Sequence, residues 1–280
     1  MNVVKTDQFD CVQMIRLGYG PIGPPVMSVF MYVVDGLVID TGQHHMQKYV
    51  IEQLKDKKLN RIILTHHHED HSGNAAAIQK TYHIDVCGHS LTAKKLRDGF
   101  NILPYQHYIW GNASPVEVSA LDSPITTDRF TFIPIHTPGH SKDHTVYFEE
   151  NNGWLFCGDL YLAERIKYFR ADEQLLDQIN SLRKVLELNF AVLFCAHNPC
   201  FKNGKTKLKN KLQFLEDLYG QVRLFLQEGL AEKAIIRKLD DRRGRLAKWL
   251  TLGNVSFANM IKSAIDSANR SDGISRHRMQ

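Results

Sequence analysis

The sequence has no apolar run long enough to cross a bilayer. Its longest apolar stretch covers only residues 26–34, whereas a membrane-spanning helix needs about 20 residues. The N-terminal residues include Lys5, Asp7 and Asp10 and have no apolar core of the kind found in secretory signals. We therefore expect a soluble protein in the cytoplasm, without a membrane partner.

Cysteine is also sparse. The chain has five cysteines, an odd number, and their spacing does not match a zinc ribbon. Cys87, Cys157 and Cys195 lie in apolar, strand-like runs, which is typical of buried thiols. This pattern argues against a disulfide framework and indicates a reducing compartment.

Charge is not strongly biased, with a formal net charge of +5 and 23% charged residues. Much of the positive charge falls in the last third of the chain, which lacks the interleaved aromatic residues of a single-strand nucleic-acid groove. We interpret it as a solvated helical surface and consider nucleic-acid binding the weaker alternative. The basic residues concerned are Lys202, Lys205, Lys207, Lys209, Lys211, Arg237, Lys238, Arg242, Arg243, Arg245 and Lys248.

The order of strand-like and helix-like patterns predicts two parts and a tail. Strands and helices are mixed through residues 1–200, residues 201–268 read as a helical extension, and residues 269–280 are polar and predicted to be disordered. The strands do not alternate regularly with helices, which favours two packed sheets with helices outside over a doubly wound parallel sheet. Residues 91–115 are predicted to be a long irregular segment, a type of loop that is more often functional than idle.

The most informative segment is a histidine-rich run that follows an apolar strand at residues 61–64. His66, His68, Asp70 and His71 place four metal-competent side chains within six positions. A strand end followed by a turn lets such side chains converge, and imidazole and carboxylate suit Zn²⁺, Fe or Mn²⁺. The run therefore predicts a metal site.

Three further polar residues each follow an apolar run. His140 comes after residues 130–135 in the sequence His-Thr-Pro-Gly-His, Asp159 comes after residues 154–157, and His197 comes after residues 191–195. Each is weak evidence alone, because a lone polar residue at a strand end is more often structural. Four such clusters in this order are a far more specific signal.

These motifs resemble those of the metallo-β-lactamase-fold hydrolase superfamily, over about residues 10–200. Asp40-Thr41-Gly42 resembles the first family motif, residues 65–71 match the His-x-His-x-Asp-His signature, and His140, Asp159 and His197 match the remaining three. The resemblance implies an α+β fold, a four-layer αββα sandwich with metals at one sheet edge. An α-helical C-terminal extension would follow it.

The resemblance also implies a ligand set for two divalent metal ions, with Zn²⁺ as the first expectation and Fe or Mn²⁺ as alternatives. One ion would be held by His66, His68 and His140, and the other by Asp70, His71 and His197, with Asp159 bridging them. Asp40 would orient the ligands without touching a metal ion itself. His67 and Glu69 fill variable positions of the signature.

The implied chemistry is attack by a metal-bound hydroxide on an electrophilic carbonyl or phosphorus. Asp70 is expected to receive or shuttle the proton. Tyr161 is a candidate donor to the substrate oxygen, with ordinary packing as the alternative. His144 is interpreted either as a residue that contacts the metal ligands without binding a metal itself, or as a surface residue.

Departures from related families narrow the reaction to hydrolysis of an ester, thioester or lactone, similar to the glyoxalase II and lactonase branches. Glu69 stands where transfer-RNA-processing nucleases of this fold usually carry glycine, and no nuclease domain is inserted between Asp159 and His197. A phosphodiesterase or nuclease with a basic tail stays an alternative. So does a mononuclear-iron persulfide dioxygenase, which uses a similar ligand set.

The helical extension has three interpretations. In the resembling enzymes such helices often cover the substrate entrance, where Arg237, Lys238, Arg242 and Arg243 would contact an anionic carrier such as glutathione or coenzyme A. A second interpretation is a contact in a homodimer. A third is a small helix-turn-helix-like unit in residues 231–265.

Overall fold

The computed structural model describes residues 1–240 and 244–277, with side chains described through residue 270. Its residues group into two compact units, each built from several stretches of chain. The first unit comprises Met1–His136, Lys142–Leu162 and Asn189–Gly204. The second unit comprises Thr137–Ser141, Ala163–Leu188 and Lys205–Gln280. The boundary at residue 200 between a catalytic and a helical part stays a prediction.

The first unit contains a seven-stranded sheet in which the strands follow chain order. Its strands are β1 (Val3–Phe9), β2 (Val12–Gly18), β3 (Val29–Val34), β4 (Leu37–Ile39), β5 (Arg61–Ile63), β6 (Asp85–Gly88) and β7 (Ser119–Ala120). Strands β1 to β4 pair antiparallel, and β4 to β7 pair parallel. Asp35 and Gly36 join β3 to β4 with φ of 49° and 78°, as a two-residue type I′ hairpin requires.

A five-stranded sheet, with spatial order β12-β11-β10-β9-β8, belongs to the same unit. Its strands are β8 (Ile125–Thr126), β9 (Thr131–His136), β10 (Thr145–Glu149), β11 (Trp154–Gly158) and β12 (Val192–Cys195). Strands β8 to β11 pair antiparallel, whereas β12 runs parallel to β11. The carboxyl ends of β11 and β12 therefore lie at one edge of this sheet.

Apolar side chains from both sheets form one core between them. Met14, Ile39 and Ile63 of the first sheet share this core with Phe156 and Phe194 of the second. The rings of Phe156 and Phe194 stack with centroids 4.5 Å apart. This shared core confirms the predicted packing of two sheets.

The other face of the seven-stranded sheet packs against helices. Ile15, Val38 and Ile62 form a second core with Val50 and Ile78, which lie on helices α1 and α3. The helices of this unit are α1 (Gln47–Leu54), α2 (Glu69–Ser72), α3 (Ala75–Tyr82), α4 (Ser90–Asp98) and α5 (Pro104–Ile109).

The predicted irregular segment at residues 91–115 is wrong in part, because α4 and α5 lie within it. In α4, Thr92 and Leu96 alone are buried, so the helix has too short an apolar stripe to be recognised from periodicity. Strand β1 was also not expected. Its burial pattern contains no fully buried residue, which left no clear apolar alternation in the sequence.

The described part of the second unit is helical. Its helices are α6 (Leu175–Leu186), α7 (Gly204–Gln227, whose first residue belongs to the first unit), α8 (Glu232–Leu239), α9 (Arg245–Leu250) and α10 (Phe257–His277). Helix α10 packs against α6 and α8, and its residues Ile261 and Ile265 are buried. The predicted tail overlaps the end of α10, and its residues 278–280 lie outside the described residues.

No helix in the described part of the chain combines the length and apolarity of a membrane-spanning segment. The expected α+β class and the expected C-terminal helices are both present.

Candidate metal centre

Asp40 organises the first part of the site. It follows β4, which is paired in parallel with β5 in the register Ile39↔Ile63, so Asp40 lies beside the start of the histidine run. Its backbone has φ of 57°, a left-handed conformation that non-glycine residues seldom adopt. Its carboxylate accepts hydrogen bonds from the Thr65 backbone N–H at 2.8 Å and the Thr65 hydroxyl at 2.8 Å.

The same carboxylate fixes the orientation of His71. Asp40 Oδ2 lies 2.8 Å from His71 Nδ1, so Nδ1–H donates to Asp40 and Nε2 is left for another partner. His71 is brought back toward His66 by the single turn of α2, and their ring centroids are 4.0 Å apart. His66 Nε2 lies 2.8 Å from His68 Nδ1. The run thus folds onto itself as one buried cluster.

Asp159 and His197 enter from the other sheet, at the carboxyl ends of the parallel pair β11 and β12. His197 Nε2 lies 3.4 Å from an oxygen of Asp70 and 3.4 Å from an oxygen of Asp159. His71 Nε2 lies 3.4 Å from Asp159 Oδ1 and 3.7 Å from Asp70 Oδ2. His197 Nδ1 lies 2.8 Å from the carbonyl oxygen of Ser28, which leaves Nε2 directed at the carboxylates.

These side chains have the chemistry and spacing of a metal site. In the first unit, three potential ligand atoms lie within 4.8 Å of one another, one from each of His66, His71 and Asp159. The same holds for Asp70, His71 and His197. Imidazole nitrogens and carboxylate oxygens at such spacing fit a divalent ion such as Zn²⁺, Fe²⁺ or Mn²⁺.

The imidazoles and carboxylates of the cluster stabilise one another in their charged forms. Burial by itself lowers the pKa of His197, but the carboxylates of Asp159 and Asp70 raise it to about 9. Burial also lowers the pKa of His71, and Asp70, Asp40 and Asp159 outweigh it, so that this pKa lies well above its ordinary value. Burial raises the pKa of Asp70, but His71 and His197 bring it below its ordinary value.

His144 lies inside the protein, so the surface alternative for this residue is wrong. It is 0% exposed, and its Nε2 accepts a hydrogen bond of 3.1 Å from the backbone N–H of Asp159. Gly158 has φ of 46°, and a Cβ there would stand 2.8 Å from His144 Nε2 and 2.9 Å from Thr65. The glycine therefore permits the close approach that places Asp159.

Tyr161 is buried, with 2% of its surface exposed. Its carbonyl oxygen accepts a hydrogen bond from the thiol of Cys195, which ties the chain after Asp159 to the end of β12. Trp110 is a half-buried neighbour of the cluster that motif reasoning did not single out as a site residue. Its ring centroid lies 6.3 Å from that of His197.

His140 belongs to the second unit, in the five-residue segment Thr137–Ser141. Its Nδ1 lies 3.4 Å from Glu173 Oε2. Glu173 is itself held by the Gln178 amide, which donates at 2.6 Å, and by the Arg170 backbone N–H, which donates at 2.9 Å. Gly139, with φ of 133°, packs closely against Gln178. A Cβ atom at position 139 would stand 2.4 Å from the backbone nitrogen of Gln178.

Two carboxylates that contact the histidines of the motifs were missed from the sequence, Glu173 and Asp143. Glu173 has no motif around it and is recognisable only from the fold. Asp143 had a usable signal, since it lies between His140 and His144, two residues that the sequence already marked as candidate site residues.

The sequence matches the family model described as the metallo-beta-lactamase superfamily over residues 24–197. A Drosophila melanogaster protein described as beta-lactamase-like protein 2 homolog is 28% identical over 69% of this chain and 66% of its own length. A hydroxyacylglutathione hydrolase from Shewanella loihica is 34% identical over 43% of each chain. The chain thus spans less than two thirds of the length of these curated relatives.

Solved structures show the same fold. A metallo-β-lactamase family protein from Thermus thermophilus superposes with a TM-score of 0.68, at 17% identity, over 95% of both chains. A beta-lactamase domain protein from Burkholderia ambifaria superposes with a TM-score of 0.66, at 16% identity, over 92% of this chain and 88% of that one. The predicted metallo-β-lactamase fold is confirmed, and with the sequence match over residues 24–197 it follows that this chain belongs to the metallo-β-lactamase superfamily.

Proposed function

We propose that this protein is a metal-dependent hydrolase with a dinuclear site. The observation that carries the proposal is the convergence of Asp70, His71, Asp159 and His197 from two sheets, with carboxylate and imidazole atoms 3.4–3.7 Å apart. His66 joins the same cluster. The proposed ligands are His66, His68 and His140 for one ion, Asp70, His71 and His197 for the other, and Asp159 for both.

Support for His140 comes from its neighbours and from chain connectivity. Its segment is bounded on both sides by residues of the first unit, His136 and Lys142. Glu173 Oε2 lies 3.4 Å from His140 Nδ1, and we propose Nε2 as the ligating atom. This arrangement parallels the one between Asp40 and His71.

When bound, two divalent ions supply an activated water and polarise the substrate oxygen. The protein contributes orientation and proton transfer. Asp40 and the Ser28 carbonyl hold His71 and His197 in the tautomers that present Nε2. We propose that Asp70 takes up the proton released during attack and that Tyr161 donates to the substrate oxygen.

For the substrate, we propose an ester, thioester or lactone, with a small anionic thioester foremost. Bacterial relatives from Shewanella, Aeromonas and Legionella carry the name hydroxyacylglutathione hydrolase, and an acylglutathione is an anionic thioester. Arg237 and Lys238 lie in α8 and are candidate contacts for the anionic carrier. Arg242 and Arg243 were predicted for the same role and lie outside the described residues.

The decisive experiment combines metal analysis of the purified protein with a substrate panel of an acylglutathione, a lactone, an aryl ester and a phosphodiester. We expect bound metal, hydrolysis within the first three classes, loss of turnover on chelation, and recovery with Zn²⁺, Fe²⁺ or Mn²⁺. Faster cleavage of the phosphodiester would favour the nuclease alternative. Oxygen-dependent consumption of a glutathione persulfide would favour the dioxygenase. A metal-free protein without turnover contradicts the proposal.

A cytoplasmic location and a homodimer are further parts of the proposal. All five cysteines are free thiols, and Cys87, Cys157 and Cys195 are buried, which fits a reducing compartment. Light scattering of the purified protein at several concentrations tests the dimer, and a constant monomer mass contradicts it.

Glu173 provides a separate test of the His140 assignment. We expect Glu173→Gln to lower metal affinity by about 10–100-fold, because an outer carboxylate orients the ligating imidazole. Competition with a chromogenic chelator measures the change. Glu187→Gln, at an exposed carboxylate of the same unit, is the matched control. Equal affinity in the two variants contradicts the orienting role of Glu173.

A further inference from the structure

Asp143 is a buried carboxylate that none of the proposed ligand roles uses. It is 0% exposed, and it accepts from two groups of one residue, His67. The His67 backbone N–H donates to Oδ2 at 2.9 Å, and His67 Nδ1 lies 2.9 Å from Oδ1. The Thr92 hydroxyl donates to Oδ2 at 2.7 Å. Burial would raise the pKa of Asp143, but hydrogen bonds from His67 and Thr92 hold it well below its ordinary value.

The tautomer of His67 follows from its second partner. Lys95 Nζ lies 2.9 Å from His67 Nε2. An ammonium group only donates hydrogen bonds, so Nε2 accepts and the proton resides on Nδ1, facing Asp143. Both ring nitrogens of His67 therefore have side-chain partners, Asp143 at Nδ1 and Lys95 at Nε2. This explains why His67 need not be a ligand, although the other three histidines of the run are proposed as ligands.

The position of His67 gives these contacts a consequence. It stands between His66 and His68 in the chain, and His66 Nε2 lies 2.8 Å from His68 Nδ1. Asp143 holds both the main chain and the side chain of His67. The directions of the two flanking imidazoles depend on that main-chain path.

The residues next to Asp143 contact other parts of the ligand framework. His144 accepts from the backbone N–H of Asp159, and the Thr145 N–H donates to the carbonyl oxygen of Thr65 at 2.8 Å. Three consecutive residues, 143–145, thus contact the second motif at Thr65 and His67 and the fourth motif at Asp159. Asp143 is the charged member of this set.

We propose that Asp143 is a positioning residue for the metal site, acting through His67 in the tautomer held by Lys95 to direct His66 and His68 toward the ion. The inference rests on the proposed metal-binding function. It assigns Asp143, His67 and Lys95 a role in metal affinity and geometry without direct contact with the ion.

The test uses the full-length protein, depleted of metal and titrated with Co²⁺, with the visible spectrum of bound cobalt as the report on ligand geometry. Asp143 accepts from three donors with two carboxylate oxygens, whereas the asparagine of Asp143→Asn offers them a single carbonyl oxygen. We therefore expect about 10–100-fold weaker Co²⁺ binding and an altered spectrum. His67→Ala is expected to behave in the same way. His67→Asn keeps a donor near the place of Nδ1 and is expected to recover affinity and spectrum.

Asp98→Asn, at an exposed carboxylate that pairs with its neighbour Arg97, is the matched control. Unchanged Co²⁺ affinity and spectrum in Asp143→Asn overturn the inference, as does equal loss in His67→Asn and His67→Ala. If Asp143→Asn does not fold, Thr92→Val removes a hydrogen bond to Asp143, and Lys95→Met removes the partner of His67 Nε2. Wild-type Co²⁺ binding by both variants overturns the inference. Failure of the wild-type protein to bind Co²⁺ refutes the proposed metal site itself, which is a distinguishable result.

Discussion

Asp70→Asn is expected to lower kcat for hydrolysis by about 10²–10⁴-fold, the range associated with loss of a positioned proton acceptor. The carboxylate of Asp70 is buried, with its Oδ2 3.4 Å from His197 Nε2 and 3.7 Å from His71 Nε2. Asparagine keeps the shape and one oxygen atom but cannot take up a proton at neutral pH. Turnover should therefore fall even where metal remains bound.

The measurement is steady-state kinetics on the best substrate of the panel, with bound metal determined for each preparation. Asp98→Asn removes a carboxylate that is exposed and should retain wild-type kcat. Circular dichroism checks that the Asp70→Asn variant is folded. A folded variant with wild-type kcat refutes the assigned role of Asp70.

Phe194→Ala is expected to reduce the free energy of unfolding by about 3–5 kcal/mol, as found for large-to-small changes in well-packed cores. Phe194 is 0% exposed and lies between the sheets. Its ring stacks on Phe156 at 4.5 Å and meets Tyr32 at 5.3 Å and Phe9 at 5.8 Å, centroid to centroid. Alanine leaves a cavity that these rings cannot fill.

Urea unfolding followed by circular dichroism measures this loss. Phe194→Leu retains most of the buried volume and should lose less stability, whereas Tyr108→Ala, at a side chain that is 55% exposed, should have little effect. A loss in Phe194→Ala no larger than that in Tyr108→Ala contradicts the assignment of the inter-sheet core. The substitution is also expected to perturb the candidate metal site, because His197 follows the strand that carries Phe194.

Much of the candidate site was predictable because its residues follow apolar strands. Asp40 follows β4 and the histidine run follows β5, while Asp159 and His197 follow β11 and β12. Parallel pairing in both cases brings the strand ends together, so residue type and strand position sufficed to group these side chains. Their roles as metal ligands stay predictions that the experiments above test.

Two carboxylates proposed to orient the ligands, Asp143 and Glu173, were not predictable in the same way. Asp143 meets His67 across 76 residues of sequence, and Glu173 meets His140 from a segment without any motif. In the sequence, Glu173 resembles an ordinary solvated charge before a helix, and the position of Asp143 between His140 and His144 does not identify its partner. The burial and the partner of each carboxylate become visible only when distant segments pack.

Local patterns in the sequence were enough to establish the α+β class, the helical C-terminal region, and the types and order of the candidate ligands, because these depend on short-range periodicity and on residues that follow strands. Tertiary packing was needed to establish which carboxylate faces which imidazole nitrogen. Asp40 selects the tautomer of His71 from 31 residues away, and Asp143 contacts the Nδ1 of His67 from a still more distant segment. Such pairings depend on strand register and burial, which bring distant groups within hydrogen-bond distance and which no local pattern encodes.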